Sequence, residues 1–381
     1  MGAPSLRFLR MRNGRPDVEA RLGARLVPAL SEPGVSRPHP PPEKPRPTPT
    51  VADDSALIVI PCLNEARVIA DVIARILGDD RLDCPLVLVV DGGSTDGSPE
   101  IVRRIAATDD RVRLVLNPKR LQSAGVNLAA LHGEPGATWL VRVDAHAQYP
   151  ANYVSTLVAE ARRTGADSVV VAMDTQGSTF FQRAVAAAQN SRLGAGGSAH
   201  RNGGGAAWVD HGHHALFSLA AFRAIGGYDE SFSHNEDAEL DVRLTHSGRR
   251  IWLTDQTQII YYPRATPQAL WRQYLNYGKG RARTVLKHHT RLKIRQALPL
   301  GVAPAVLLAA AAPWFWPLAI PAVAWTLLAL SYGLVIGLRK RDLPSAFCGV
   351  AAMIMHLGWS AGFWIQIVRD HLSFAPQRAD A

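Results

Sequence analysis

Leu86 to Ser98 reads LVLVVDGGSTDGS: an unbroken apolar run, one carboxylate at Asp91, then a loop of glycines and hydroxyls. A short apolar run closed by turn residues predicts a strand buried on both faces. Runs of the same texture begin at Ala56 (ALIVI), Val112 (VRLVL), Trp139 (WLVRV) and Ser168 (SVVVAM). Segments with helical spacing, such as EARVIADVIARIL from Glu65 and LQSAGVNLAALHG from Leu121, separate the first four. Doubly apolar strands alternating with helices indicate an α/β fold, a mostly parallel sheet with helices on both faces.

In such sheets ligands bind beyond the carboxyl ends of the strands. The polar groups gather at those ends: PCLNE from Pro61, DGGSTDG from Asp91, NPKR from Asn117 and DAHAQYP from Asp144. Asp91 is placed to accept hydrogen bonds from a bound group, with Gly92 and Gly93 permitting a tight turn. A plain strand-to-helix turn explains the same residues, with Thr95 or Asp96 capping a helix that starts near Gly97. The third-glycine spacing of a dinucleotide fingerprint is missing.

Asp144 and His146 form a D-x-H pair. A divalent cation that bridges substrate phosphates takes one or two protein groups and keeps its waters, so a sparse set suffices. The carboxylate suits Mg²⁺ or Mn²⁺, and the imidazole favours Mn²⁺. Glu236 and Asp237 open a segment with helical spacing that runs to His246, with Gly248 just past its end. Acids in a first turn are favoured by the helix dipole. Two adjacent carboxylates in a cleft also raise one another's pKa, which suits a general base. In DHGHH, Asp210 to His214, an extended backbone puts His211 and His213 on one face and His214 on the other, without a tetrahedral zinc set. One of these imidazoles is expected to line the acceptor site or reach the cation, the others to be structural.

The 381 residues are 47% hydrophobic, enough for a full-sized core, but the apolar residues are unevenly spread. No charged side chain occurs from Ala297 to Leu338, and a second apolar stretch runs from Leu343 to Val368. At roughly 20 residues per crossing, these predict three membrane helices over 297–368. Residues 266–296, with Leu270, Trp271, Tyr274 and Tyr277 among basic residues, read as an amphipathic segment on a membrane surface, although Gly278 and Gly280 weaken a single helix. There is no acidic residue between Asp255 and Asp342, so the net charge of +10 is concentrated before the first apolar run. Such flanking charge places the soluble part in the cytoplasm. The basic balance has no zinc-finger or basic-zipper pattern beside it, and nucleic acid is not an expected partner. Three scattered cysteines, Cys62, Cys84 and Cys348, suggest neither disulfides nor a metal knuckle. Residues 1–54 read as a basic, proline-rich disordered tail without the apolar core of a signal peptide, and 369–381 as a second tail. Gly194 to Gly205 is too glycine-rich for a regular element.

Taken together, IPCLNE, VDGGSTDGS, DAHAQYP and NEDAELDVRLTHSG resemble, in order, the motifs of the family-two glycosyltransferases, from about Ser55 to Lys287. VRVDAHAQYP and IIYYPRATPQALWRQYLNYGKGR are most similar to the succinoglycan-type bacterial membrane glucosyltransferases. The resemblance implies a GT-A catalytic domain over 55–265 and an inverting hexosyl transfer from a nucleotide-diphosphate sugar. It implies that Pro61 and Glu65 border the nucleoside, that Asp91 contacts base or ribose, that Asp144 holds the cation and that Asp237 is the base. Lys119, Arg281 or Arg283 would add positive charge at the departing diphosphate. Gly92 and His146 stand where the family has acids. The Q-x-x-R-W signature of processive synthases is absent, which favours one sugar per acceptor. The implied acceptor is a lipid-linked saccharide of an exported polysaccharide or glycolipid, used by a multi-pass protein of the inner membrane alongside polysaccharide assembly proteins. A polyprenyl-phosphate sugar synthase and a non-catalytic partner of an export assembly are the alternatives.

Overall fold

The computed structural model describes residues 55–82, 85–133, 136–196 and 205–374. The expected tail at 1–54, residues 375–381 of the tail expected at 369–381, most of the glycine-rich segment (197–204) and Cys84 lie outside the described residues, while residues 369–374 continue the helix Cys348–Phe374 instead of forming a tail. Eight strands form one sheet: β1 (Ala56–Cys62), β2 (Leu86–Asp91), β3 (Val112–Leu116), β4 (Trp139–Arg142), β5 (Ser168–Thr175), β6 (Ala207–Val209), β7 (His213–Ser218) and β8 (Ile251–Tyr261). Their order is β3-β2-β1-β4-β7-β5-β8-β6. The first four strands pair in parallel, as the sequence predicts. The sheet is nonetheless mixed, because β7 runs antiparallel to both β4 and β5, and β6 antiparallel to β8.

Alternation along the strands fills both faces. Ile58, Ile60, Val87 and Val89 pack with Ile73, Ile76 and Leu157 on one side, whereas Leu57, Val59, Leu88 and Val90 pack with Val126, Ala129 and Phe222 on the other. Each fully buried aliphatic side chain contributes about 1.5–3 kcal/mol. That face-by-face burial holds the strands in register and leaves their carboxyl ends to carry polar chemistry.

The segment Pro267–His288 is a single helix. The sequence reading placed it against lipid, but its glycines serve protein packing. A Cβ at Gly278 would lie 2.1 Å from the Trp359 carbonyl oxygen, and one at Gly362 would lie 1.9 Å from that of Leu275. Two backbones therefore touch where side chains would hold them apart, and the helix lies along the C-terminal helix Cys348–Phe374.

Among the described residues two helices, Trp316–Lys340 and Cys348–Leu372, are long and apolar enough to cross a membrane. Each has 25 residues, about 37 Å of helix against a core of about 30 Å. Three such helices were expected. The first part of the apolar stretch instead folds as a short helix Ile294–Ala297, a 3₁₀ turn Leu298–Gly301 and a helix Val302–Ala309. Pro299, Pro304, Pro313 and Pro317 interrupt backbone hydrogen bonding there.

Candidate active site

The reversal of β7 assembles the site. Because it runs against its neighbours, its first residues arrive at the edge where β4 and β5 end, with His213 beside Val171. β4 closes on Arg142, and Asp144 follows at the same edge. The helix Glu236–His246 begins there with Asn235 at φ 65°, a left-handed turn that asparagine tolerates. Together these elements line a cavity of about 520 Å³ that includes Asp144, His146, His213, Glu236 and Asp237.

Arg142 joins the two acidic motifs. Its Nε donates to Asp144 Oδ1 at 3.1 Å and its Nη1 to Asp237 Oδ1 at 2.8 Å. Tyr228 Oη donates to the same Asp237 oxygen at 2.7 Å, and Gln122 Nε2 donates to Asp144 Oδ1 at 2.8 Å. Burial is the largest influence and pushes both carboxyls up, but the Arg142 guanidinium and the neighbouring imidazoles together outweigh it and hold both below the ordinary carboxylate range. The imidazoles assist: His213 and His146 act on Asp144, and His214 and His213 on Asp237. Glu236 goes the other way. Burial and the neighbouring Asp237 charge push it up to about 7, against the pull of Arg142.

Of the three imidazoles, His213 reaches toward Asp144, with Nε2 3.7 Å from its Oδ2. His211 and His214 both hold buried Asp241, at 2.5 Å each, and Ser168 Oγ lies 2.9 Å from His214 Nδ1. The sequence reading put His211 and His213 on one face and His214 on the other; His211 and His213 do both line the cavity, but His211 also joins His214 on Asp241.

The residues expected to border the nucleoside sit at the same sheet edge without lining this cavity. The Asp91 carboxylate accepts from the Gly93 and Ser94 amides at 2.8 and 3.0 Å and from the Ser94 hydroxyl at 2.5 Å, so its own loop engages it. That loop is laced to the one after β1, where the Thr95 amide donates to Asn64 Oδ1 at 2.8 Å and the Glu65 amide to Ser98 Oγ at 2.9 Å. Glu65 in turn reaches the D-x-H motif, with Oε1 3.3 Å from His146 Nδ1. Pro61 lies in β1, paired with Val90. Asp96 accepts from the Ser98 amide at 3.1 Å, but the N-cap of the helix Ser98–Ala106 is Gly97, in the left-handed region at φ 91° and without a side-chain cap, so neither Thr95 nor Asp96 is the cap the sequence suggested.

The three cations named for the diphosphate separate. Lys119 pairs with Glu230. Arg283 donates to the Ser231 carbonyl at 2.7 Å and lies 4.3 Å over the Phe232 ring. Arg281 lines the cavity. Sequence reasoning missed Arg142, Gln122 and Tyr228. Arg142 carried a signal, a lone charge inside the apolar run WLVRV.

The same cavity is also lined by Tyr274 and Tyr277 and by Met355, His356 and Trp359 of the C-terminal helix. Donors for a cation are sparse: no group of three or more histidine, cysteine or acidic side chains gathers among the described residues. Asp144 with His146 nearby fits a hard cation that arrives on a diphosphate and brings its remaining oxygen ligands along, and does not fit a closed structural site.

Among solved structures the chain is similar to a mannosyltransferase from Pyrobaculum calidifontis in complex with GDP-Man and Mn²⁺, at 21% identity over 79% of this chain and 86% of that one, TM-score 0.48. It is also similar to S. aureus TarS 1-349, at 11% identity over 82% and 91%, TM-score 0.41. The family profile of glycosyl transferase family 2 matches residues 57–226. The succinoglycan biosynthesis protein ExoA of Rhizobium meliloti (strain 1021) is 51% identical over 314 residues, 82% of this chain and 95% of that protein. With most of its length shared at that identity, and the sheet edge built from the family's motifs, the chain belongs to glycosyl transferase family 2.

Proposed function

We propose that this glycosyltransferase moves a hexose, glucose first among them, from a nucleotide-diphosphate sugar onto a lipid-linked saccharide, with inversion, at the cytoplasmic face of the inner membrane. The 51% identical relative carries the name of a succinoglycan biosynthesis protein, which supports a place in exopolysaccharide assembly beside other assembly proteins. The observation that carries the reading is one cavity lined both by Asp144 and Asp237, on a shared guanidinium, and by a helix long and apolar enough to cross a membrane.

In this mechanism the nucleoside end of the donor lies toward Pro61, Glu65 and Asp91, and Asp144 with His146 would hold the divalent cation, Mn²⁺ or Mg²⁺, on the diphosphate. When bound, the cation supplies Lewis-acid stabilisation of the departing diphosphate. The acceptor oxygen attacks the anomeric carbon as the bond to the diphosphate breaks, and its proton passes to Asp237. Arg142 and Tyr228 fix that carboxylate through Oδ1, and Asp237 lines the cavity. General-base catalysis of this kind contributes about 10²–10⁴-fold. The raised pKa of Glu236 favours a second reading, in which Glu236 takes the proton and Asp237 orients Arg142.

The test is a panel of nucleotide sugars offered to the purified full chain with Mn²⁺ and native lipid extract. Transfer of one sugar to extractable lipid is expected. Asp237→Asn is expected to lose at least about a hundredfold in transfer while keeping nucleotide affinity; a near-normal rate would remove Asp237 from the role of base.

A further inference from the structure

One stripe of the helix Pro267–His288 faces the cavity and is not used by the chemistry above. Gln273, Tyr277 and Arg281 recur every four residues, so they lie on one face over about 12 Å of helix. Gln273 Nε2 donates to the hydroxyls of Tyr261 and Tyr277, each at 3.1 Å, while its Oε1 is buried without a hydrogen-bond partner among the described residues. The far end of the stripe is Arg281. Its Nε is likewise buried and unpartnered among the described residues.

The acids nearest Arg281 are already engaged. Asp241 and Asp210 act on it through space. Asp241 holds His211 and His214, and Asp210 pairs with Lys293. A second guanidinium, Arg295, lines the same cavity and repels it. Burial and this repulsion outweigh the distant acids and bring Arg281 down to about 10. Arg142 and Arg264 line the cavity as well; of these guanidinium groups Arg281 has the buried open N–H and Arg295 repels it, a pairing that costs free energy unless an anion completes it. The cavity is also lined by Met355 and Trp359, with His356 between them in sequence, of a helix long enough to cross a membrane.

We propose that Arg281 and Arg295 bind the diphosphate of the lipid-linked acceptor, with its saccharide lying along Gln273 and Tyr277 toward Asp237 and its hydrocarbon passing Trp359. The donor's diphosphate occupies the other anion position, at Asp144 through the cation. This assignment rests on the transferase reading above, and it identifies the acceptor's anchoring group as a diphosphate held by arginine.

The test uses the full chain in detergent micelles and two probes: undecaprenyl diphosphate without sugar, and UDP or GDP with Mn²⁺, whichever the wild type binds. Arg281→Ala is expected to weaken the lipid diphosphate at least tenfold and the nucleotide less than twofold, with Arg281→Lys restoring part of the loss. Inorganic pyrophosphate is expected to compete with the lipid in the wild type and not in Arg281→Ala. A tenfold loss of nucleotide affinity with lipid binding intact would assign the arginine to the donor, and no change in either would make it structural; both results overturn the proposal. Should Arg281→Ala lose both ligands through misfolding, Arg295→Ala decides: selective loss of the lipid supports the site, unchanged lipid affinity overturns it. Wild-type protein that binds the lipid diphosphate yet transfers no sugar from any donor would sink the transferase reading and leave the site. Undiminished transfer to lipid by both alanine variants would sink the site and leave the reading.

Discussion

Arg142 is buried between two carboxylates, and a third acid, Glu236, stands beside them. One guanidinium cannot neutralise three acids. The surplus charge falls on Glu236, which lacks the direct contact with Arg142 that Asp237 has, and so its pKa rises while that of Asp237 falls. This division separates the two possible bases by pH. Asp237, Arg142 and Asp144 are the charged groups acting on Glu236. A base must be deprotonated to work, so a reaction that needs Glu236 slows about tenfold per unit as pH falls below about 7. A reaction that needs Asp237 stays ionised through that range. The expected result is a transfer rate at saturating substrates that changes less than about threefold between pH 6 and 8, in wild type and Glu236→Gln alike. A steep acid limb near pH 7 that disappears in Glu236→Gln together with the activity would move the base to Glu236.

At the scale of elements, the contact between the helix Pro267–His288 and the C-terminal helix joins the catalytic sheet to the apolar end of the chain. A side chain at Gly362 would meet backbone, the Leu275 carbonyl, and backbone cannot rotate away. Gly362→Leu is therefore expected to cost about 1–3 kcal/mol by overpacking and to displace the wall that carries Met355 and Trp359. Thermal unfolding in detergent should shift down, and transfer to lipid should fall while nucleotide binding on the sheet survives. An unchanged melting temperature with full transfer would show that the two helices do not need this approach. The same contact explains what was legible beforehand. β1 to β5 and the helix Glu236–His246 announce themselves through local texture, apolar runs for the strands and capping signals for the helix. Gly278 was visible too, but whether a glycine breaks a helix or admits a neighbour depends on a partner some eighty residues away. The reversal of β7 depends equally on distant pairing, and its leading histidines hide the strand pattern. In the site, the motif acids were readable because their types and spacing carry the chemistry, whereas Tyr228 and Gln122 matter only through where the fold delivers them.

For the whole molecule, the decisive contacts lie between the apolar helices. Arg183 pairs with Asp342, and the Phe180 and Phe347 rings meet edge to face at 5.3 Å. Both partners on the catalytic side belong to the helical stretch that follows β5, so the turn after Lys340 rests on the catalytic domain. The charges of Arg339, Lys340 and Arg341 favour the same side. The helix Trp316–Lys340 must then run toward the domain, and the chain can reach its far end only through the broken stretch that begins at Ile294. Sixteen residues of that stretch, Ile294–Ala309, span about 24 Å as helix, less than a bilayer core of about 30 Å, so a crossing here would need residues 310–315 as well. A cysteine introduced at Leu343 is expected to be labelled only from the side of the catalytic domain, and one introduced at Trp314 only from the opposite side. If both label from the catalytic side, the segment before Trp316 enters and leaves through one face and Trp316–Lys340 does not cross. If Leu343 labels from the far side, the contacts with Arg183 and Phe180 do not form in the membrane, and the cavity loses the support that positions the helix carrying Met355 and Trp359.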